Sequence, residues 1–237
     1  MIFSISNLRK KFTRRGVDFD AVLDADFFAW SGDFIVITGE SGCGKSTLLS
    51  MLAGLARPSS GDVILDGEKF GDLSDEELSQ IRNRRIGYVP QNALFFPQYT
   101  VLENILFPKF LRDGKSVQQD VALKDLDSDL QTLLKDLGIS DLLEEYPANL
   151  SGGELQKASI ARALVNNPSI LIADEPTSSL DEKNARLVLK LFSHLASTGT
   201  AIIMVTHDDM ALKRADRSYI MQRGQLIPRE VSDYGNL

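Results

Sequence analysis

Four short runs of the chain are apolar throughout instead of alternating: Phe34 to Thr38, Ile86 to Val89, Ile170 to Ala173 and Ala201 to Thr206. A strand with one wet face alternates, so these continuous aliphatic runs predict central strands covered on both faces, as in a parallel sheet under helices. The clearest helical pattern runs from Glu182 to Ala196, where Leu187, Leu191 and Leu195 recur every four residues with Val188 and Phe192 beside them. That stripe predicts a helix packed on the sheet, and His194 on it reads as a partly buried structural histidine. Residues 92 to 160 differ, because helical periodicity and turn residues dominate there without a buried-strand run. They predict a helical subdomain inserted into an α/β core.

Length and composition narrow the class. A chain of 237 residues can bury one core with an inserted subdomain, and no repeat, low-complexity tract or Pro/Gly/Ser linker divides it, so residues 1–237 read as one domain. Hydrophobic residues at 43% and charged residues at 25% match ordinary globular usage. No apolar run approaches the roughly 20 residues a bilayer helix needs. The N-terminus alternates through Ile2, Ser4, Ile5, Asn7 and Leu8 without the basic-apolar-small order of a secretion signal. The reading is a cytoplasmic protein, and the single cysteine, Cys43, which cannot form an internal disulfide, agrees with it.

Charge points away from nucleic acid. The net charge is −7, and the local basic cluster Arg9, Lys10, Lys11, Arg14 and Arg15 reads as a solvated loop flank. Between Gln118 and Glu145 eight acids stand against Lys124 and Lys135, a composition that predicts a solvated helical face.

Chemistry concentrates at three places. Gly39-Glu40-Ser41-Gly42-Cys43-Gly44-Lys45-Ser46-Thr47 matches G-x-x-x-x-G-K-[ST], directly after one predicted strand and before a helical run from Leu48 to Leu55. Glycines let successive backbone N–H groups turn toward phosphate oxygens, and the helix N-terminus adds its positive dipole end. Lys45 then reaches the β- and γ-phosphates, Ser46 offers a hydroxyl to Mg²⁺, and Thr47 helps with the α/β-phosphates. Cys43 is a small loop filler. The strand from Ile170 ends in adjacent carboxylates, Asp174 and Glu175, where parallel sheets bind ligands. Asp174 is expected to hold Mg²⁺ and Glu175 to polarise an attacking water as general base. Finally, Leu150-Ser151-Gly152-Gly153-Glu154 opens a helix with a serine and two glycines, a second anion-binding helix N-terminus in the same chain.

That last segment resembles the signature of ABC ATPases. In the same family's order, Gln91 in Tyr88-Val89-Pro90-Gln91 resembles the Q-loop, Asp181 in Ser179-Leu180-Asp181 the D-loop, and His207 in Val205-Thr206-His207-Asp208 the switch histidine. The resemblance runs from Phe3 to about Leu226 and implies a P-loop NTPase fold with a mainly parallel core sheet, an antiparallel N-terminal β-subdomain and the helical insertion. It implies ATP and Mg²⁺ as ligands, with Gln91 sensing the metal and the attacking water and His207 contacting the γ-phosphate. Two cassettes are expected to pair head to tail, so that Ser151, Gly152, Gly153 and Asp181 of one close on ATP held by the other. Phe12 resembles the aromatic that stacks on adenine; read alone, it serves equally well as a core residue.

Within the family, Ile81 to Gln91, Phe96-Pro97, Thr100 to Ile105, Tyr146-Pro147 and the glutamate at 154 are similar to the lipoprotein-release and macrolide-export group. The resemblance then implies a peripheral subunit on the cytoplasmic side of a bacterial cell membrane, coupled to a separate permease that docks near residues 95–110. Phe95, Phe96, Tyr99 and Phe107 suit either a docking surface or the subdomain's own packing. Two other readings stand beside transport: a soluble ABC ATPase of DNA repair or translation, and a nucleotide-gated regulator acting through a membrane partner.

Overall fold

The computed structural model describes residues 1–114 and 126–229. Asp120, Lys124 and Asp125 of the acid-rich stretch lie outside them. The chain opens with a hairpin, β1 (Phe3–Arg14) and β2 (Val17–Ala29), whose turn residues Arg15 and Gly16 both have positive φ, 53° and 77°. That mirror-image turn matches the twist of the strands it joins, and it sets a register pairing Phe12 with Phe19. With β4 (Ser60–Leu65) and β5 (Glu68–Lys69) the hairpin forms an antiparallel sheet in the order β2-β1-β4-β5. Cross-strand pairs neutralise much of the basic cluster, since Arg9 grips Asp20 with two hydrogen bonds and Lys11 meets Asp18 at 2.7 Å.

The second sheet contains all four apolar runs as β3 (Phe34–Thr38), β6 (Ile86–Val89), β7 (Ile170–Asp174) and β8 (Ala201–Val205), joined by β9 (Arg217–Gln222) and β10 (Gln225–Arg229) in the order β10-β9-β3-β8-β7-β6. Every pairing is parallel except β10 with β9. Alternation still governs β3, but both faces are buried. Phe34 and Val36 join a cluster with the helices, while Ile35 and Ile37 join one with the antiparallel sheet.

Among the described residues seven α-helices accompany the sheets: α1 (Lys45–Leu52), α2 (Asp75–Arg85), α3 (Val101–Arg112), α4 (Ser128–Asp136), α5 (Gly152–Leu164), α6 (Glu182–Ser197) and α7 (Asp209–Leu212). Three of them start in the same way. Ser74, Thr100 and Ser151 each accept from the N–H three residues on, and a glutamate there returns the bond, so α2, α3 and α5 begin with complete capping boxes. The helix expected from Leu48 begins three residues earlier, because the polar loop residues Lys45 to Thr47 form its first turn. Residues between β6 and β7 supply α3, α4 and α5 but no strand among those described, and Ile105, Leu134 and Ile160 share one cluster with Leu171 and Ala173 of β7.

The α6 stripe needs a correction. Its buried face is centred on Ala185, Val188, Leu189 and Phe192, and Leu187, Leu191 and Leu195 flank it half-buried. His194, two residues or about 200° beyond Phe192, is exposed instead of partly buried.

Candidate active site

The phosphate loop leaves β3 and enters α1 with two glycines that no other residue could replace. Gly39 has φ 145° and a Cβ there would sit 2.3 Å from the Met221 carbonyl; Gly44 has φ 110° and a Cβ would sit 2.0 Å from the Ala21 carbonyl. The loop is thus clamped between the β9–β10 turn and β2, and the Gly224 N–H donates to the Cys43 carbonyl at 3.2 Å. Cys43 is a half-buried thiol packed at the edge of the antiparallel-side core, a structural filler as expected. Lys45 is buried, its ammonium donating to the carbonyls of Gly39 at 2.5 Å and Glu40 at 2.7 Å. No side chain caps α1, so its first N–H groups are available to an anion.

Opposite the loop, β7 delivers its two acids in different directions. Asp174 is 4% exposed. Burial pushes its carboxyl above the usual range and the Glu175 charge adds to that, while a hydrogen bond from Ser46 and the charge of Lys45 oppose it. Glu175 has φ 47°, a left-handed conformation rare outside glycine and costly enough to persist only under constraint. Its N–H is tied to the Val205 carbonyl at 2.9 Å. The strained backbone turns the side chain to where Gln91 Nε2 donates to Oε2 at 3.1 Å and His207 Nε2 stands 3.7 Å from Oε1. Three elements distant in sequence, the ends of β6, β7 and β8, converge on one carboxylate.

These groups border an open cleft of about 510 Å³ lined by Ser41 to Thr47, Gln91, Asp174 and Glu175. Phe12 lies at its other end and is 41% exposed, which removes the core reading. Phe19, which motif reading missed, stands beside it with ring centroids 6.0 Å apart, so the aromatic feature is a pair. The signal was present in the Arg15-Gly16 turn, whose two-residue geometry fixes the Phe12–Phe19 register. Arg223, from the β9–β10 turn, also borders the cleft and had no motif to announce it.

An all-oxygen donor set of one buried carboxylate, Asp174, one hydroxyl, Ser46, and the Gln91 amide oxygen suits Mg²⁺, which binds proteins through few ligands and leans on substrate phosphates. No group of three or more His, Cys, Asp or Glu able to hold a metal occurs among the described residues.

Ser151, Gly152, Gly153 and Asp181 do not line this cleft. Gly153 instead faces the segment just before Asp181: a Cβ on it would lie 3.3 Å from the Ser179 carbonyl. Asp181 caps α6 through the Asn184 N–H at 2.8 Å. Glu154 accepts from both the N–H and the hydroxyl of Ser151, at 2.7 and 2.6 Å.

The segment 95–110 divides. Phe110 is core, Phe95 is half-buried under the Arg162 guanidinium, and Phe96 is exposed in a ring cluster with Tyr99 and Phe107. Buried Asn104 holds the loop before α3, accepting from the Phe96 N–H and donating to the carbonyls of Phe96, Tyr99 and Thr100. Leu94 and Leu111 remain exposed nearby.

Comparison with known proteins agrees with this geometry. Residues 22–178 match the family model described as ABC transporter. The dimeric, post-hydrolysis structure of the ATP-binding cassette MJ0796 bound to ADP and Pi is similar at 30% identity, over 97% of this chain and 99% of that one, with a TM-score of 0.86. A second dimeric structure of MJ0796, described as a bacterial ABC transporter cassette, has the same identity and coverage and a TM-score of 0.88. An ATP-binding subunit of an ABC transporter, 22% identical over 98% of this chain and 91% of that one with a TM-score of 0.82, shares the fold. A phosphate loop facing paired strand-end acids, in a fold shared with these cassettes, shows that the chain belongs to the ABC transporter family, as an ATP-hydrolysing cassette.

Proposed function

We propose that the chain is one half of a head-to-tail pair of cassettes that hydrolyses ATP to drive a separate membrane permease, in the manner of the lipoprotein-release and macrolide-export group. One observation carries the pairing: the signature residues Ser151, Gly152 and Gly153 stand outside the cleft where the phosphate loop, Gln91, Asp174 and Glu175 meet. A second subunit would bring its own signature to the open side of that cleft. The dimeric state of MJ0796 and the ADP and Pi bound to it support the reading. We read residues 92–160 as the helical arm of a single domain, with the permease docking on its segment near 95–110.

In this reading Phe12 and Phe19 stack on the adenine, the α1 N-terminus and Lys45 bind the phosphates, and Lys45 exchanges its two loop carbonyls for phosphate oxygens. Ser46, Asp174 and Gln91 would hold Mg²⁺, which when bound supplies charge neutralisation on the phosphates. Glu175 accepts the proton of the attacking water. Gln91 and His207 orient that carboxylate and the γ-phosphate around it. Pairing around ATP pulls on the permease, and hydrolysis followed by phosphate release lets the cassettes part.

The test compares the parent chain with Glu175→Gln. ATP should convert the variant to a dimer by light scattering while its Mg²⁺-dependent turnover disappears. Unchanged turnover removes Glu175 from the role of base; a variant that stays monomeric with ATP removes the nucleotide-sandwiched pair.

A further inference from the structure

The nucleotide cleft has a phosphate end and an aromatic end, and a cation without a partner borders both. Arg223 lines the cleft together with the phosphate loop, Asp20 and the Phe12–Phe19 pair. Its side chain is exposed and, among the described residues, makes no hydrogen bond, ion pair or ring contact. The other basic groups close by are engaged. Arg9 grips Asp20 with two hydrogen bonds, Lys10 donates to the Arg57 carbonyl at 2.7 Å, and Lys45 holds the carbonyls of Gly39 and Glu40. Lys45 and Arg223 are the cations lining the cleft, and Arg223 stands on the side of the aromatic pair.

The backbone beneath Arg223 is fixed. Arg223 and Gly224 form a two-residue turn with φ 48° and 83°, closed by the pairing of Gln222 with Gln225, and that mirror-image geometry suits a hairpin. Gly224 is held from two sides. Its N–H donates to the Cys43 carbonyl of the phosphate loop at 3.2 Å, and its carbonyl accepts from the Leu23 N–H of β2 at 2.8 Å. A Cβ on Gly224 would lie 3.3 Å from the carbonyls of Asp20 and Ala21, so the turn also packs closely on β2. The guanidinium therefore starts from a point anchored both to the loop that faces the phosphates and to the strand that carries Phe19, the kind of support that holds a binding group in place.

We propose that Arg223 is a specificity-determining residue of this cleft, its guanidinium donating to the α-phosphate of a nucleoside di- or triphosphate whose base lies on Phe12 and Phe19. The proposal rests on the nucleotide-binding reading given above and adds a contact to it. Position selects the α-phosphate: the aromatic pair takes the base, Lys45 and the start of α1 take the distal phosphates, and the α-phosphate lies on the path between them. Chemistry agrees, because a guanidinium presents paired donors that match phosphate oxygens. ATP and ADP share this phosphate, and the reaction leaves it untouched, so the contact strengthens substrate, transition state and product binding alike.

The experiment measures ADP affinity of the full chain by titration calorimetry in the parent, Arg223→Gln, Arg223→Lys and Arg15→Gln. Arg15 occupies the same place in the matching Arg-Gly turn of the β1–β2 hairpin, with φ 53°, and does not line the cleft. Arg223→Gln should weaken ADP about tenfold, the loss of a charged hydrogen-bond partner. Arg223→Lys should recover part of it, since the charge stays and the paired donors go, and Arg15→Gln should match the parent. KM for ATP should rise by the same factor with kcat retained, and the ADP-over-GDP ratio should be the same in the parent and in Arg223→Gln. Unaltered ADP affinity in Arg223→Gln overturns the proposal and leaves the nucleotide cleft standing, whereas a parent that binds no ADP overturns both. Equal losses in Arg15→Gln and Arg223→Gln overturn it in favour of diffuse surface charge. An ADP-over-GDP ratio that shifts in Arg223→Gln assigns the guanidinium to the base and overturns the α-phosphate contact. If Arg223→Gln fails to fold, Arg223→Lys carries the same comparison with a smaller loss.

Discussion

The N-termini of α1 and α5 are both opened by glycine and serine, and they behave in opposite ways. At α1 no side chain caps the backbone, and the first N–H groups face a cleft beside Lys45, Ser46 and Thr47. At α5 a capping box closes the end: Ser151 accepts from the Glu154 N–H, and Glu154 takes the Ser151 N–H and hydroxyl. Attraction to an anion depends on which donors remain unsatisfied, so the first end is ready for phosphate and the second is satisfied within its own chain. The hydrogen bonds from Ser151 also hold the Glu154 carboxyl below the usual range. In the proposed pair, a phosphate arriving from a partner would have to displace that carboxylate.

The sharpest break between these regions is catalytic. Glu175→Gln should lower turnover by about 10²- to 10⁴-fold, the range of a lost general base, measured by phosphate release. Next, Lys45→Ala should weaken nucleotide binding by well over tenfold, since a buried charged hydrogen-bond donor is removed, as a fluorescent ATP analogue would report. Ser151→Ala tests the contrast directly. It should leave nucleotide affinity of the monomeric chain unchanged, weaken ATP-driven dimerisation of the Glu175→Gln background about tenfold, and lower stability by about 1 kcal/mol through the lost cap. Equal losses of monomer affinity in Lys45→Ala and Ser151→Ala would mean that both helix ends serve one nucleotide in one chain.

Phe19→Ala should cost a few-fold in nucleotide affinity, about 1 kcal/mol of lost stacking, and Phe12→Ala a similar amount; no change in either removes the aromatic pair from the site. The smallest effect is on stability. Asp174 has a folded-state pKa above its unfolded value, so folding takes up a proton and stability falls as pH rises from the unfolded value through the raised one. Asp174→Asn should therefore melt higher than the parent at pH 7, with the gap closing on acidification, as thermal denaturation at two pH values would reveal.

Much of this was legible in the chain. Continuous apolar runs located β3, β6, β7 and β8 because parallel strands are buried on both faces, and the phosphate loop, Asp174 and Glu175 followed from strand-loop-helix order. Capping pairs such as Thr100 with Glu103 and Ser151 with Glu154 are local and were readable at three-residue spacing. The misreadings concern facing. The α6 stripe of Leu187, Leu191 and Leu195 with Val188 and Phe192 beside them does pack on the core, but its buried centre is Val188, Leu189 and Phe192 with the three leucines at the flank, and His194 falls outside. A leucine repeat of four drifts around a helix of 3.6 residues per turn, so only the neighbouring surface decides which side is covered.

The sequence alone determined which residues carry charge, which turns need glycine and where strands begin, because those depend on side-chain chemistry and backbone sterics over a few residues. Only the tertiary structure decided that Gln91, Glu175 and His207 meet at one carboxylate, that Glu175 has a left-handed backbone, and that Arg162 is half-buried with no acid beside it among the described residues. Each of those depends on the sheet order β3-β8-β7-β6 and on helix packing, which bring together residues up to more than a hundred positions apart and set how much water each keeps.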